Sequence, residues 1–200
     1  HTKVVISGEG ADEMFGGYGR VQSSGFDYEK IRFVNKFVPQ NLQASILKIF
    51  GSNKEFDWSK YQNQMDHFFD IYKWFGLDEK MGILNNEVKK DIKYDFEIKK
   101  FWSNEFDQMH DMDAKEKIII LFQKHHLQCL LHRLDIHSMA HSVEARVPFC
   151  DHRIIEFVNK VPYSMKFKWK SSYHKFISIF NNSFKNSEKN DISKYLLRKL

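Results

Sequence analysis

The sequence predicts an α/β protein in which helices greatly outnumber strands. The β-branched run at residues 3–6 ends in a glycine-rich turn, as a strand inside an α/β sheet does. From about residue 27 onward, apolar residues recur at three- and four-residue steps, which is the period of an amphipathic helix. Pro39 and the turn at 51–53 divide this long stretch into separate helices.

The helices follow in order after the opening strand. One is predicted to begin near Ala11, whereas residues 15–19 are too glycine-rich for a helix interior. Further helices are predicted at 30–38, 42–50, 61–75, 86–101, 115–139 and 151–160, and a last one begins at Tyr195. The segment 170–191 is rich in Asn, Ser and Lys, and we expect a mobile insertion there.

Apolar side chains predict the buried faces of three of these helices. In the order of the chain, these side chains are Met65, Phe68, Phe69, Tyr72 and Phe75, then Leu127, Leu130, Leu131 and Leu134, then Ile154, Ile155, Phe157 and Val158. A single strand cannot form an α/β sheet, and the chain opens on His1. We therefore expect a fragment of a longer domain, with its other strands upstream.

Composition excludes several classes of protein. No run of about eighteen uncharged apolar residues is present, so no membrane-spanning helix is predicted, and no signal peptide is visible. The net charge is +5, but the lysines are scattered among acids, which argues against nucleic-acid binding. Cys129 and Cys150 form no CxxC pair, and they are typical of a reducing, cytoplasmic protein. We expect both cysteines to pack in the core.

The first stretch that carries chemistry is the turn at residues 7–13. Its glycines allow close backbone approach, and the N–H groups of such a turn suit a phosphate. Glu9, Asp12 and Glu13 add three carboxylates, which are compatible with phosphates only if a cation such as Mg²⁺ bridges them. The pattern predicts a site for a nucleotide and Mg²⁺, with one carboxylate free to act as a base. A structural turn, in which Asp12 or Glu13 caps the following helix, explains it equally well.

A second stretch places charges of both signs beside apolar residues. These charges are Arg133, Asp135, Glu144, Arg146 and Asp151. Because burying an unpaired charge costs several kcal/mol, we expect an internal ion-pair network that fixes a loop beneath an active site. A salt-bridge cluster with no catalytic role is an equal alternative for Glu144 and Arg146.

Three segments together resemble one enzyme family. VVISGEGADEMFGGY at 4–18 resembles the SGEGADE-FGGY motif of asparagine synthetases. HRLDIHSMAHSVEARVPFCDHRIIEFVNKVP at 132–162 is similar to that family's R-D--SMA-S-EARVPF-D pattern, and KYLLR at 194–198 to its K--LR element. The resemblance covers roughly 3–21, 125–170 and 194–200, in the family's order. The intervening hundred or so residues carry no motif.

The resemblance implies that residues 1–200 are the C-terminal part of a synthetase domain of the adenine nucleotide alpha-hydrolase type, whose parallel sheet binds ATP. In such enzymes ATP activates a carboxylate, commonly that of aspartate, as an acyl-adenylate, and pyrophosphate is released. Ammonia from glutamine, supplied by an N-terminal glutaminase domain, then attacks. A homodimer of the full-length protein is compatible with this resemblance.

The resemblance also implies roles for individual residues. Ser7, Gly8 and Gly10 are expected to lie against the nucleotide. Glu9 is expected to be the base that assists ammonia, since ammonium must lose a proton before it attacks. Asp12 is expected to help hold Mg²⁺–pyrophosphate.

Two further roles stay open between alternatives. Glu13 lies near the substrate or caps the helix, and Arg133 lies by the substrate and phosphates or forms an ion pair. Lys194 is not assigned to the pyrophosphate-binding lysine, which lies farther downstream in the family.

The chain departs from the family pattern in several places. The SGG-DS phosphate loop and the nucleophilic Cys of a glutaminase domain are absent, so we expect the 200 residues alone not to turn over ATP. Residues 127–130 contain no acid, whereas many relatives carry one there to hold the amino group of the substrate. The substrate is therefore open between aspartate and another carboxylate.

Three alternative functions remain to be weighed. β-Lactam synthetases and peptide cyclases resemble this family but use an internal amine, and a non-catalytic module would keep the fold alone. A dinucleotide-binding oxidoreductase is excluded, because no GxGxxG follows the strand.

Overall fold

The computed structural model describes residues 2–22, 24–39, 42, 45, 61–73, 75–90, 94–177 and 191–199. The strands are β1 (Val4–Ile6), β2 (Glu144–Arg146), β3 (Lys168–Trp169) and β4 (Asp191–Ile192). The helices are α1 (Ala11–Phe15), α2 (Gly19–Gln22), α3 (Ser24–Phe37), α4 (Gln64–Tyr72), α5 (Leu77–Ile83), α6 (Asn86–Lys90), α7 (Tyr94–Gln108), α8 (Ala114–Leu121), α9 (Leu127–Met139), α10 (His152–Lys160), α11 (Tyr163–Lys166) and α12 (Ser172–Ile177). The mostly helical α/β architecture is thus confirmed for the described residues.

β1 pairs in parallel with β2, which the sequence did not reveal as a strand. Val4, Val5 and Ile6 lie opposite Glu144, Ala145 and Arg146. A second, antiparallel pair joins β3 to β4 near the C-terminal end of the described chain. Although parallel strands are usually covered on both faces, Ile6 is 79% exposed. The expectation of neighbouring upstream strands stays a prediction.

The main aromatic cluster lies where α4, α7 and α8 meet. It is made of Val21, Met65, Phe68, Trp102, Phe106, Ile118, Leu121 and Phe122. Phe68 is completely buried and stacks on Tyr72 and Trp102, with ring centroids 5.4 and 5.8 Å away. The predicted inward face of 61–75 is therefore confirmed, except that Phe75 lies beyond the helix end and is exposed.

The long helix predicted at 115–139 contains an irregularity. Between α8 and α9, residues Phe122–His126 form a π-helical turn, the kind of widened turn that often occurs at functional sites. Leu127 is buried in a second apolar cluster with Met14, Phe15 and Val158, which joins α9 to α1 and α10. The turn thus connects the aromatic cluster to the elements that carry the motifs.

Several predictions about the elements are wrong. Phe157 is 64% exposed, because only Ile154, Ile155 and Val158 on α10 pack inward. The final helix is absent: residues 193–199 form successive turns after β4. The surface helix predicted at 86–101 consists of α6 and the start of α7, which buries Trp102 and Phe106 farther on.

Two predicted segments fall largely outside the described residues. These are the helix expected at 42–50 and the insertion expected at 170–191, although all of α12 lies within the latter. Across the described residues, no helix is long and apolar enough to cross a membrane.

Candidate active site

Both long motifs meet at the carboxyl ends of the parallel strands β1 and β2. The turn at 7–13 follows β1, and the backbone N–H of Ser7 donates a 2.8 Å hydrogen bond to the carbonyl of Arg146, the last residue of β2. A Cβ added at Gly10 would lie 2.7 Å from Cys150 Sγ, so the two segments are in direct contact. In α/β folds, ligands bind outside this edge of the sheet.

Gly8 and Gly10 have different conformations and surroundings in the turn. Gly10 has φ +92°, a left-handed conformation that favours glycine, and it ends the turn as the residue before α1. A Cβ at Gly8, in contrast, would meet nothing within 4 Å. Ser7 Oγ accepts a 3.3 Å hydrogen bond from the N–H of Glu9, which closes the turn locally. The backbone at Gly8 is therefore accessible to a bound molecule.

Glu9 lies beside Arg133, which is 124 residues away in the chain. Arg133 Nη2 donates a 3.2 Å hydrogen bond to Glu9 Oε1. The Glu9 side chain is 25% exposed and that of Arg133 is 60% exposed, so solvent reaches the pair. Arg133 therefore forms an ion pair, which is one of the two alternatives that the sequence left open for it. The roles of both residues in chemistry stay predictions.

Asp12 lies in the first turn of α1 and is paired with Lys194. Lys194 Nζ is 2.7 Å from Asp12 Oδ1, and both side chains are about one-third exposed. Sequence reasoning missed this partner, because 182 positions separate the two residues and no local pattern relates them. Gly17 lies against both side chains: a Cβ added to it would lie 1.6 Å from Asp12 Oδ1 and 2.6 Å from Lys194 Cε.

Glu13 faces inward, in contrast to Glu9 and Asp12. It is buried, and its Oε1 accepts a 2.7 Å hydrogen bond from the Tyr18 hydroxyl. Burial and this carboxylate raise the pKa of Tyr18. The residue before α1 is Gly10, which has no side chain, so the suggestion that Asp12 or Glu13 caps the helix is wrong.

His126, at the end of the π-helical turn, adjoins Glu13. Its Nε2 lies 3.9 Å from Glu13 Oε1, and its Nδ1 shares a 2.8 Å hydrogen bond with the Tyr72 hydroxyl. Burial lowers the pKa of His126, while the Glu13 carboxylate opposes this shift. The sequence carried no signal for this histidine, since its position depends on the widened turn.

The charges of the second stretch do not form the internal network that was predicted. Glu144 and Arg146 pair with each other at 2.9 Å, but their side chains are 57% and 65% exposed. Asp151 caps α10 through the N–H of Arg153 and pairs with the guanidinium of the same residue, which lowers the pKa of Asp151. These pairs are local and solvent-exposed. The salt-bridge alternative for Glu144 and Arg146 agrees better with the structure.

The two cysteines differ in their surroundings. Cys129 is exposed, so the prediction that it packs in the core is wrong. Cys150 packs against the Met14 cluster, and burial raises the pKa of its thiol. Both are free thiols, as expected for a chain without a disulfide framework.

An open cavity of about 750 Å³ lies beside α4 and α7. Its lining includes Tyr61, Asp66, Lys99 and His126, but none of residues 7–13. His126 lines this cavity and also adjoins Glu13. This cavity could not be predicted from the sequence, because all of its lining residues except His126 come from the part of the chain without motifs.

The donor set at the turn fits Mg²⁺ only in combination with phosphates. Among the described residues, no three His, Cys, Asp or Glu side chains come together as a metal cage. Mg²⁺ is commonly held by one or two carboxylates plus substrate phosphates, and the partly exposed Asp12 could supply one such carboxylate.

Comparison with known proteins yields a family and a few distant relatives. The family model for asparagine synthase matches residues 1–200. Glutamine-hydrolysing asparagine synthetase 3 of Bacillus subtilis is 27% identical over 82% of the chain. Glutamine-hydrolysing asparagine synthetase 1 of the same organism is 26% identical over the whole of the chain. Amidase chry2 of Gibberella zeae is 25% identical over 84%. The chain spans only 21–28% of the length of these relatives. No solved structure matches the chain.

Proposed function

The chain belongs to the asparagine synthase family, and we propose that it is part of an enzyme that forms amides with the aid of ATP. A carboxylate oxygen of the substrate attacks the α-phosphorus of ATP, and pyrophosphate leaves. Ammonia derived from glutamine then attacks the acyl carbon, and AMP leaves. The observation that supports this best is the solvent-accessible turn at 7–9, where Gly8 is exposed and Glu9 is in contact with Arg133.

Glu9 is the proposed base. Its carboxylate is partly exposed beside the accessible backbone of Gly8, so a bound nucleophile can reach it. A carboxylate placed next to the activated acyl group takes the proton that the nitrogen loses as the amide forms. Arg133 holds this carboxylate in place through the 3.2 Å contact and adds positive charge near the phosphates.

Asp12 is the proposed ligand of the magnesium that accompanies the phosphates. When bound, Mg²⁺ neutralises developing charge on the leaving pyrophosphate. Ser7, Gly8 and Gly10 complete the proposal by presenting backbone to the nucleotide. Gly10 is buried against Cys150, and its left-handed conformation turns the chain between β1 and α1 so that Gly8 is exposed.

Aspartate is the first substrate to test, and another carboxylate is the second. Residues 127–130 supply no acid for a substrate amino group, and Gln128 and Cys129 are exposed on α9 instead. The similarity to a protein named amidase shows that the chain's relatives extend beyond the asparagine synthetases. A related amide-forming enzyme or cyclase with a different substrate therefore remains the second candidate.

Replacement of Glu9 by Gln in the full-length protein tests the proposed base. We expect amide formation to fall about 10²- to 10⁴-fold, the usual contribution of a positioned base. Binding of ATP, measured by equilibrium titration, should change little because the shape of the side chain is kept.

Glu144→Gln is the matched control for Glu9→Gln. Glu144 is exposed and pairs only locally with Arg146. Equal rates of amide formation in wild-type protein and Glu9→Gln would remove Glu9 as the base. An equal loss in both variants would point to a general effect of removing negative charge.

A further inference from the structure

Lys194 has an unusual backbone conformation. Ser142 and Lys194 are the non-glycine residues with positive φ among those described, and Lys194 has φ +51°. A side chain with a Cβ rarely adopts this left-handed conformation, because the Cβ crowds the backbone. Such strain persists only where surrounding contacts fix it, and it often marks a functional position.

Backbone contacts anchor Lys194 to the end of α1 and the next residue, Tyr195, to the end of α11. The N–H of Lys194 donates to the carbonyl of Gly16 at 3.3 Å, and the N–H of Tyr195 donates to the carbonyl of Lys166 at 2.9 Å. Gly16 itself is left-handed, with φ +73°, and ends α1. The C-terminal segment is therefore attached to the same short helix that carries Asp12.

The space for the Lys194–Asp12 pair depends on Gly17. A Cβ at Gly17 would lie 1.6 Å from Asp12 Oδ1 and 2.6 Å from Lys194 Cε. Any larger residue would push these two side chains away from their present contact. The left-handed conformation of Lys194 and the absence of a side chain at Gly17 thus both accompany the 2.7 Å ion pair between Lys194 and Asp12.

We propose that Lys194 is a positioning residue that holds the Asp12 carboxylate for magnesium pyrophosphate. This inference rests on the proposed function. The ammonium restrains one oxygen of Asp12 and leaves the other available to a cation, and both side chains remain about one-third exposed.

A double-mutant cycle on the full-length protein tests the inference. Binding of magnesium pyrophosphate is measured by calorimetry for the wild type, Lys194→Ala, Asp12→Asn and the double variant. Loss of a charge-assisted contact should weaken binding about 10- to 100-fold in Lys194→Ala. If Lys194 acts through Asp12, adding Lys194→Ala to Asp12→Asn should weaken binding little further.

Two other variants distinguish the effect of losing the ion pair from the effect of impaired folding. Lys194→Gly removes the ammonium but relieves the left-handed strain, so it should fold at least as well as Lys194→Ala and bind equally weakly. Gly17→Ala keeps both charges and displaces them, and we expect it also to weaken binding. Circular dichroism confirms that each variant is folded.

The matched controls are Lys199→Ala and Gly82→Ala. Lys199 is exposed on the same segment, and a Cβ at Gly82 would meet nothing within 4 Å. Both should bind as the wild type does.

Four results would overturn the inference. The first is unchanged binding of magnesium pyrophosphate in Lys194→Ala, and the second is that Lys194→Ala weakens binding equally in the wild-type and Asp12→Asn backgrounds. The third is that Lys199→Ala weakens binding as much as Lys194→Ala does. The fourth is a wild-type protein that binds no magnesium pyrophosphate. The last would remove the proposed function as well, whereas the other three would leave it standing.

Discussion

The turn at 7–13 and the aromatic cluster around Phe68 differ in what holds them in place. Phe68 is fully buried among rings and aliphatic side chains. The turn is held by a few contacts with segments distant in the chain: Arg133 on Glu9, Lys194 on Asp12 and Cys150 against Gly10. The cluster therefore determines whether this part of the protein folds. The contacts around the turn determine where its carboxylates lie.

His126 lies at the boundary between these regions. Its ring contacts Tyr72 and Phe122 of the cluster, while its Nε2 faces Glu13 of the turn. The π-helical turn brings this side chain to the boundary. Substitutions on either side of His126 should accordingly have different consequences, and the size of their effects can be compared.

The largest expected loss of stability follows from truncation in the cluster. Phe68→Ala removes a ring that is completely buried and stacked on both Tyr72 and Trp102. We expect the free energy of unfolding to fall by about 3–5 kcal/mol, as is usual for Phe→Ala in a core. Denaturant unfolding of the full-length protein, followed by tryptophan fluorescence, measures this. Phe96→Ala, at a 64% exposed position, is the control and should stay within about 0.5 kcal/mol of the wild type.

A smaller effect is expected at the turn itself. Gly10→Ala forces a Cβ onto a left-handed residue and to within 2.7 Å of Cys150 Sγ. The strain should lower stability by about 1–3 kcal/mol. Gly8→Ala is the matched comparison, because its Cβ would meet nothing within 4 Å and stability should be nearly unchanged. Equal thermal midpoints for both variants would contradict the conformation described for Gly10.

The smallest effect is a change in the pH dependence of stability. Burial lowers the pKa of His126 below its ordinary value of 6.5. The unfolded chain therefore binds the proton more readily, and the stabilisation present above about pH 6.5 is lost as the pH falls towards the folded-state pKa. His126→Gln should flatten this decline, while His125, whose pKa burial also lowers, keeps part of it.

Unfolding midpoints between pH 5 and 7.5 measure this effect. His110→Gln, at an exposed position, is the control, and equal flattening of the profile in both variants would remove the assignment to His126. An unchanged profile in His126→Gln would mean that burial of this ring does not affect proton binding.

Local patterns in the sequence were enough for some elements. The strand Val4–Ile6, the helix start at Ala11 and the helix after Asp151 follow from side-chain periodicity and glycine placement, which act over a few residues. Local patterns and motifs also predicted Glu9 and Arg133 as site residues, but they did not predict the contact between them.

The rest depends on long-range contacts that no local pattern encodes. β2 is a strand because it pairs with β1, 140 positions earlier in register, and its three residues have no apolar alternation. Turns occupy 193–199 in place of the predicted helix, and the segment is attached to Gly16 and Lys166 through the N–H groups of Lys194 and Tyr195. His126 faces Glu13 from the last position of the π-helical turn, 113 residues away in the chain.

The most direct test of acyl-adenylate formation follows the oxygen atoms of the substrate. The full-length protein is supplied with ATP, Mg²⁺, ammonia and aspartate whose side-chain carboxylate carries ¹⁸O, and the products are analysed by mass spectrometry. Attack of the carboxylate on the α-phosphorus predicts the amide together with AMP that contains one labelled oxygen, and unlabelled pyrophosphate. Amide formed together with ADP, or with unlabelled AMP, would contradict the adenylate, and the absence of any amide would contradict the use of aspartate.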